Sequence, residues 1–485
     1  MLFIRVSRTP GGMVDTDMTL DIAKLIAEHE GQNYTLHAAH VNPRFAKVLR
    51  TIGFDRCYTK AQGSYLWDQA GRQYLDLISG YGMFALGRNH PAIHQSLAEF
   101  LALDYPSLVQ MEAPLLSGLL AEELKRRVPK ELDTVYFTNS GTEGVETAIK
   151  FARCATGRPA IIYCEHAFHG LSNGSLSING DDTFREGFAP FLPDCRAIPF
   201  DDLAALERAL SAGDIAAFIV EPIQGKGVRI PAPDYLYQAA ELCRRYGALF
   251  VADEVQTGVG RTGRFLAIEH DGNVNPDILV LSKALSGGYV PVGAVMTTRS
   301  IYDRVFSSLE RSVVHSSTFG QGSLAMVAGL ATLAALDDES AINNAEHVGA
   351  HLLKGLTEML PRFEFLKAVR GSGCMIGVEL GMPSRLALKT AWTVVHRMDR
   401  SLFPQAVVIP LLDDHGIITQ VAGHHMDVIK LLPPLNLSVA DADRFLTAFG
   451  TVLTRLEQFP GPAWDLLTRI GKFSLTERSR QTQNP

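Results

Sequence analysis

The sequence predicts an α/β protein whose main sheet is buried on both faces. Three observations lead there. Short apolar runs rich in β-formers recur at residues 135–138, 160–164, 217–220, 249–252, 278–281 and 294–297. Helical patterns separate several of them, notably 142–154 and 235–246. The runs are continuous, as in strands covered on both sides. The composition, 46% hydrophobic and 20% charged over 485 residues, suits a packed core and a length of two or three domains.

In chain order, residues 16–30 form a helical pattern with Asp15 or Thr16 as cap. Leu20, Ala23, Ile26 and Ala27 share one face. Residues 402–412 are apolar but broken by Pro404, Gln405 and Pro410, and no stretch reaches the ~18 apolar residues of a membrane span. Residues 473–485 lack an apolar period and read as a loose tail. The net charge of −7 argues against a globally basic nucleic-acid binder. Six cysteines without a C-x-x-C pair fit a reduced setting, and each reads as a small buried hydrophobe. With no signal-peptide core at the N-terminus, a soluble cytoplasmic protein is expected.

Ligands of such sheets bind beyond the carboxyl ends of the strands. After 135–138 come Ser140, Gly141, Thr142 and Glu143, a capping box whose free N–H groups suit a phosphate. After 249–252 comes Asp253, an acid that needs a partner at a buried strand end. After 278–281 comes Lys283, a snorkelling residue or a desolvated amine fit for a Schiff base. Together a phosphate cradle, a buried acid and a lysine meet the needs of pyridoxal 5'-phosphate.

The wider pattern resembles the class III aminotransferases of fold type I. Asp253-Glu254-Val255-Gln256-Thr257-Gly258 with Lys283 carries the likeness. So do Ser140-Gly141-Thr142-Glu143, Phe168-His169-Gly170, Glu221-Pro222-Ile223-Gln224-Gly225, Thr318-Phe319-Gly320 and Arg370-Gly371-Ser372-Gly373. The matches run in family order from about residue 40 to 455. The resemblance implies that Lys283 forms the Schiff base with the cofactor and Asp253 pairs with its ring nitrogen. It implies that Ser140, Gly141 and Thr142 hold the phosphate. Phe168 and Val255 flank the ring, Gln256 meets its hydroxyl oxygen, and His169 and Glu221 lie close by. Thr318 serves the neighbouring subunit's cofactor, so a homodimer is implied. It further implies a large cofactor domain over 75–335, set within a small domain of 1–74 and 336–472.

Two departures bear on substrate. Lys430 stands where members using α-amino acids commonly carry arginine, and Lys226 where many carry glutamate. Tyr81, Met83 and Phe84 fall where the family lines its substrate channel. These residues, with the His40-Val41-Asn42-Pro43 lead-in of putrescine-type members, imply an aminotransferase for an aldehyde or ketone on an apolar or extended skeleton. The substrate is free or carrier-tethered. A phospho-lyase of the same family is the alternative, with Lys226 and Lys430 on a substrate phosphate. Gly258-Val259-Gly260-Arg261-Thr262-Gly263 spells a dinucleotide fingerprint but lacks a capped helix, which disfavours an NAD(P) oxidoreductase. An inactive scaffold is disfavoured by the presence of both Lys283 and Asp253. His166, His169, His424 and His425 show no zinc spacing, so no metal is expected.

Overall fold

A computed structural model describes residues 20–109, 111–398 and 402–468. Seven strands form the main sheet: β1 (Thr134–Thr138), β2 (Ala160–Cys164), β3 (Cys195–Ile198), β4 (Ile215–Val220), β5 (Leu249–Asp253), β6 (Ile278–Leu281) and β7 (Gly293–Thr297). Their order is β1-β7-β6-β5-β4-β2-β3. All neighbouring pairs are parallel except those of β7, which runs antiparallel to both β1 and β6. Two reversals cancel, so β1 points the same way as β6. The ends of β1, β4, β5 and β6 therefore open on one edge.

Both faces are covered, as the continuous apolar runs require. Leu279 and Leu281 of β6 enter one core, Ile278 and Val280 the other. Several helices cover these faces; α1 (Ile22–Glu28) and α2 (Pro43–Thr51) precede them in the chain. Helix α3 (Gly141–Thr156) packs Val145, Ala148, Ile149 and Phe151 on the second core. Helix α4 (Tyr235–Tyr246) packs Leu236, Ala239 and Cys243 on the first.

Two four-stranded sheets complete the fold. One joins Tyr58–Gln62, Tyr65–Asp68 and Gln73–Asp76 to the late strand Ile417–Ile418. The other contains Leu366–Ser372, Met375–Leu380, Gln420–Val421 and β8 (Val428–Leu431). A third core collects Leu75 and Leu77 with residues of the last third of the chain.

The structure bears on several expectations. The N-terminal helix begins at Ile22 with Asp21 as its cap and buries no residue, while Asp15 and Thr16 lie outside the described residues. The tail at 473–485 also lies outside them. Residues Gln405–Asp413 form a helix, α5, despite Pro410. Cys164, Cys243 and Cys374 are buried, but Cys154 is exposed and Cys57 and Cys195 are half-buried. Residues 258–263 form turns with no helix opening on them. Their Arg261 is fully buried and donates to the carbonyls of Cys374, Pro433 and Gly82. Among the described residues no helix is long and apolar enough to cross a membrane.

Candidate active site

A cavity of about 1750 Å³ lies at the shared strand edge. It is lined by Ser140, Gly141, Thr142, Phe168, His169, Glu221, Asp253, Val255, Gln256 and Lys283. Each stands where a strand hands over to a turn or helix.

Asp253 closes β5. Its Oδ2 lies 2.6 Å from His169 Nδ1, and its Oδ1 accepts the Val255 N–H at 3.1 Å. His169 is wholly buried. Burial opposes its charged form, but the bond to Asp253 and that residue's charge outweigh this and raise its pKa. Among the described residues its Nε2 has no hydrogen-bond partner. Glu221 follows β4 and accepts the N–H groups of Phe168 (2.9 Å) and Gly225 (2.8 Å). Burial raises its pKa, with His169 acting against the rise.

Lys283 follows β6 in a 3₁₀ turn, with a left-handed φ of 36°. Burial lowers its pKa against the pull of Asp253 and Glu221. A desolvated amine of this kind is a better nucleophile at neutral pH.

Helix α3 opens with Ser140 as its cap, whose Oγ accepts the Glu143 N–H at 3.2 Å. The Glu143 carboxylate reaches the Asn139 N–H at 2.7 Å, one residue earlier than a capping box requires. First-turn amides have no partner within their helix. Thr142 Oγ1 meets Ser172 Oγ at 2.6 Å and Ser175 Oγ at 2.7 Å.

Pyridoxal 5'-phosphate fits these residues on two counts. A Cβ at Gly141 would stand 2.7 Å from Val255 Cγ1, so only glycine leaves the cradle open beside that wall. The helix N-terminus, the acid and the buried amine all face one chamber, matching the anionic, cationic and aldehyde parts of the group.

The substrate residues divide. Tyr81, Met83, Lys226 and Lys430 line the cavity. Phe84 does not. Its ring packs against Gly288 and under the Arg88 guanidinium at 4.1 Å, so the expected channel contact is a packing contact. Ser79, Gly80, Tyr81 and Gly82 all have positive φ. The Tyr81 hydroxyl accepts from Gln420 Nε2 at 2.8 Å, and its carbonyl accepts from Gln256 Nε2 at 3.2 Å. Thr318 is exposed and lies outside this chain's cavity.

The two lysines differ. Lys226 Nζ is 2.6 Å from Asp181 Oδ2, with its ammonium 4.1 Å from the Phe184 ring centre and 5.4 Å from that of Phe168. Lys430, on β8, donates to the Gly225 carbonyl at 2.9 Å and Gln256 Oε1 at 3.5 Å. Among the described residues no carboxylate pairs with it. Burial, then repulsion from Lys283, pushes its pKa down to about 8. Asp181 and Phe184 escape sequence reasoning because they belong to a one-turn helix, Asp182–Arg185 with Asp181 as its cap, that carries no motif.

Comparison with known proteins agrees with this geometry. The family model "Aminotransferase class-III" matches residues 50–453. Aminotransferase PigE of a Serratia species is 35% identical over an alignment of 472 residues that covers 90% of this chain and 55% of that protein. The chain thus spans about half the length of that curated relative. The ornithine aminotransferase of Toxoplasma gondii superposes with a TM-score of 0.79 at 29% identity, over 90% of this chain and 98% of that one. An amine transaminase from an uncultivated Pseudomonas species, solved in a PLP-bound form, gives 0.72 at 28% identity, over 82% and 94%. The chain therefore belongs to the class III aminotransferases, pyridoxal-phosphate enzymes of fold type I.

Proposed function

We propose that this chain moves an amino group from a carboxylate-bearing donor to an aldehyde or ketone on an apolar or extended skeleton. The observation that carries this reading is the meeting of Lys283, Asp253 and the α3 N-terminus in one cavity with Lys430, a buried cation without an acid. When bound, pyridoxal phosphate supplies a ring that draws electrons away from the bond being broken.

The chain's own residues do the rest. Lys283, its pKa lowered by burial, would hold the aldehyde and later carry the proton. Asp253, oriented by His169 and the Val255 N–H, would pair with the ring nitrogen. Ser140, Gly141 and Thr142 would hold the phosphate, Phe168 and Val255 would flank the ring, and Gln256 would meet its hydroxyl. Lys430 would anchor the donor carboxylate as a point charge. Lys226 is held by Asp181 and acts on Phe184 and Phe168. That commitment weighs against the phospho-lyase alternative, which needs both lysines for a phosphate.

The proposal includes a homodimer. Leu309, Val313 and Phe319, around Thr318, are 89%, 72% and 70% exposed, as an interface with a second copy would leave them. It also includes the division into a cofactor domain over 75–335 and a smaller domain from the flanking segments. Ile52, Phe54 and Tyr65, all before residue 75, pack against the core of the late chain, which supports this.

The test adds amino donors one at a time to the holoprotein and follows the cofactor's visible absorbance. α-Amino acids should bleach it, and an aldehyde should restore it. Lys283→Ala should lose covalent cofactor attachment and nearly all turnover. Release of inorganic phosphate from a phospho-amine, with no need of a keto acid, would sink the reading.

A further inference from the structure

The outer arm of the cavity has a composition of its own. Helix α2 buries only Ala46 against the protein. Its Phe45, Val48 and Leu49, with Ile52 at its C-cap, line the cavity at the i, i+3, i+4, i+7 spacing of one helical face, flanked by Arg44, Lys47 and Thr51. Phe45 and Val48 are 52% and 54% exposed, so the stripe faces open space. The same cavity is lined by Leu402, Val408, Ile418 and Val421. Among the described residues the acids lining the cavity are Glu221 and Asp253, beside the lysine that follows β6.

We infer that the slot between α2 and the segment around α5 binds the unbranched alkyl chain of the carbonyl acceptor. This rests on the transaminase reading above. Three features commit the slot to that occupant. It is continuous with the chamber of Lys283, so a chain seated in it leads its carbonyl inward. The residues named on it all belong to this chain, so no second copy is needed to build it. Its stripe spans about 10 Å at the helical rise per residue, which suits a linear chain of medium length. The slot walls offer no acid to pair with an ammonium, so a terminal amine on that chain is disfavoured.

The test uses the holoenzyme, a fixed amino donor and linear aldehydes from butanal to decanal. The KM should fall about fourfold per methylene, from ~0.8 kcal/mol for each buried CH₂, and then level where the stripe ends. Val48→Glu, at a half-exposed position that folding tolerates, should flatten that slope. A flat wild-type series overturns the inference. So does a slope that survives Val48→Glu, or a Val48→Glu protein that turns monomeric by light scattering with its slope intact. If no aldehyde is turned over, the transaminase reading fails and calorimetry decides the slot. Tighter binding of 1-octanol than 1-butanol, lost in Val48→Glu, upholds it, and equal binding overturns it.

Discussion

Lys226 and Lys430 occupy one cavity, yet only the first has an acid at hand. Of the two, Lys430 is therefore the one whose charge is costlier to keep. Its folded pKa of about 8 lies below the ordinary 10.5. Between those values the unfolded chain holds a proton that the folded chain has released, so stability rises with pH in that window. We predict that Lys430→Met is more stable than wild type at about pH 7, and that the gap narrows by about pH 10. Urea denaturation at matched cofactor loading checks this, and a gap that widens with pH refutes it. At this scale Lys283 and Asp253 were legible because each ends an apolar run. The separate fates of Lys226 and Lys430 were not, since Asp181 comes from a distant segment.

Among the elements, the meeting of α3 with the end of β5 constrains the proposed cofactor cradle. Gly141→Ala would press a methyl to within 2.7 Å of Val255 Cγ1 and 2.9 Å of Cγ2. Val255 would have to shift into the space proposed for the ring. We predict a loss of at least about tenfold in cofactor affinity and a destabilisation of ~1–3 kcal/mol from overpacking. Cofactor titration and thermal melting measure the two effects separately, and wild-type affinity would contradict the proposed cradle. Five of the runs read from the sequence differ from their strands by at most one residue, while β4 begins two residues earlier. β3 was missed because Arg196 interrupts its apolar character at the sheet edge. The reversal of β7 was also hidden. Run composition carries no direction, and the link from β6 holds only a 3₁₀ turn where a parallel return needs a longer crossover. Helix α2 has no motif, and its apolar stripe gains meaning only from the cavity it lines.

For the molecule as a whole, the homodimer proposal places Thr318 at a neighbour's site. Leu309→Glu with Val313→Glu should give a monomer by light scattering, with most turnover lost. A monomer of full activity would show that each site is complete within one chain. The link between early and late segments could not be read from local pattern. The parallel pairing of Ile417 with Leu75 is a contact between residues far apart in sequence.

The walls of the cavity run from Arg44 to Lys430 and draw on segments of both the main-sheet core and the core shared by Leu75 and the late chain. A molecule seated there is a clasp between parts that the chain crosses repeatedly. Binding favours the folded state by mass action, in proportion to the logarithm of ligand concentration. Supply of the cofactor thus becomes a form of quality control, deciding how much of the protein persists as well as how much of it is active.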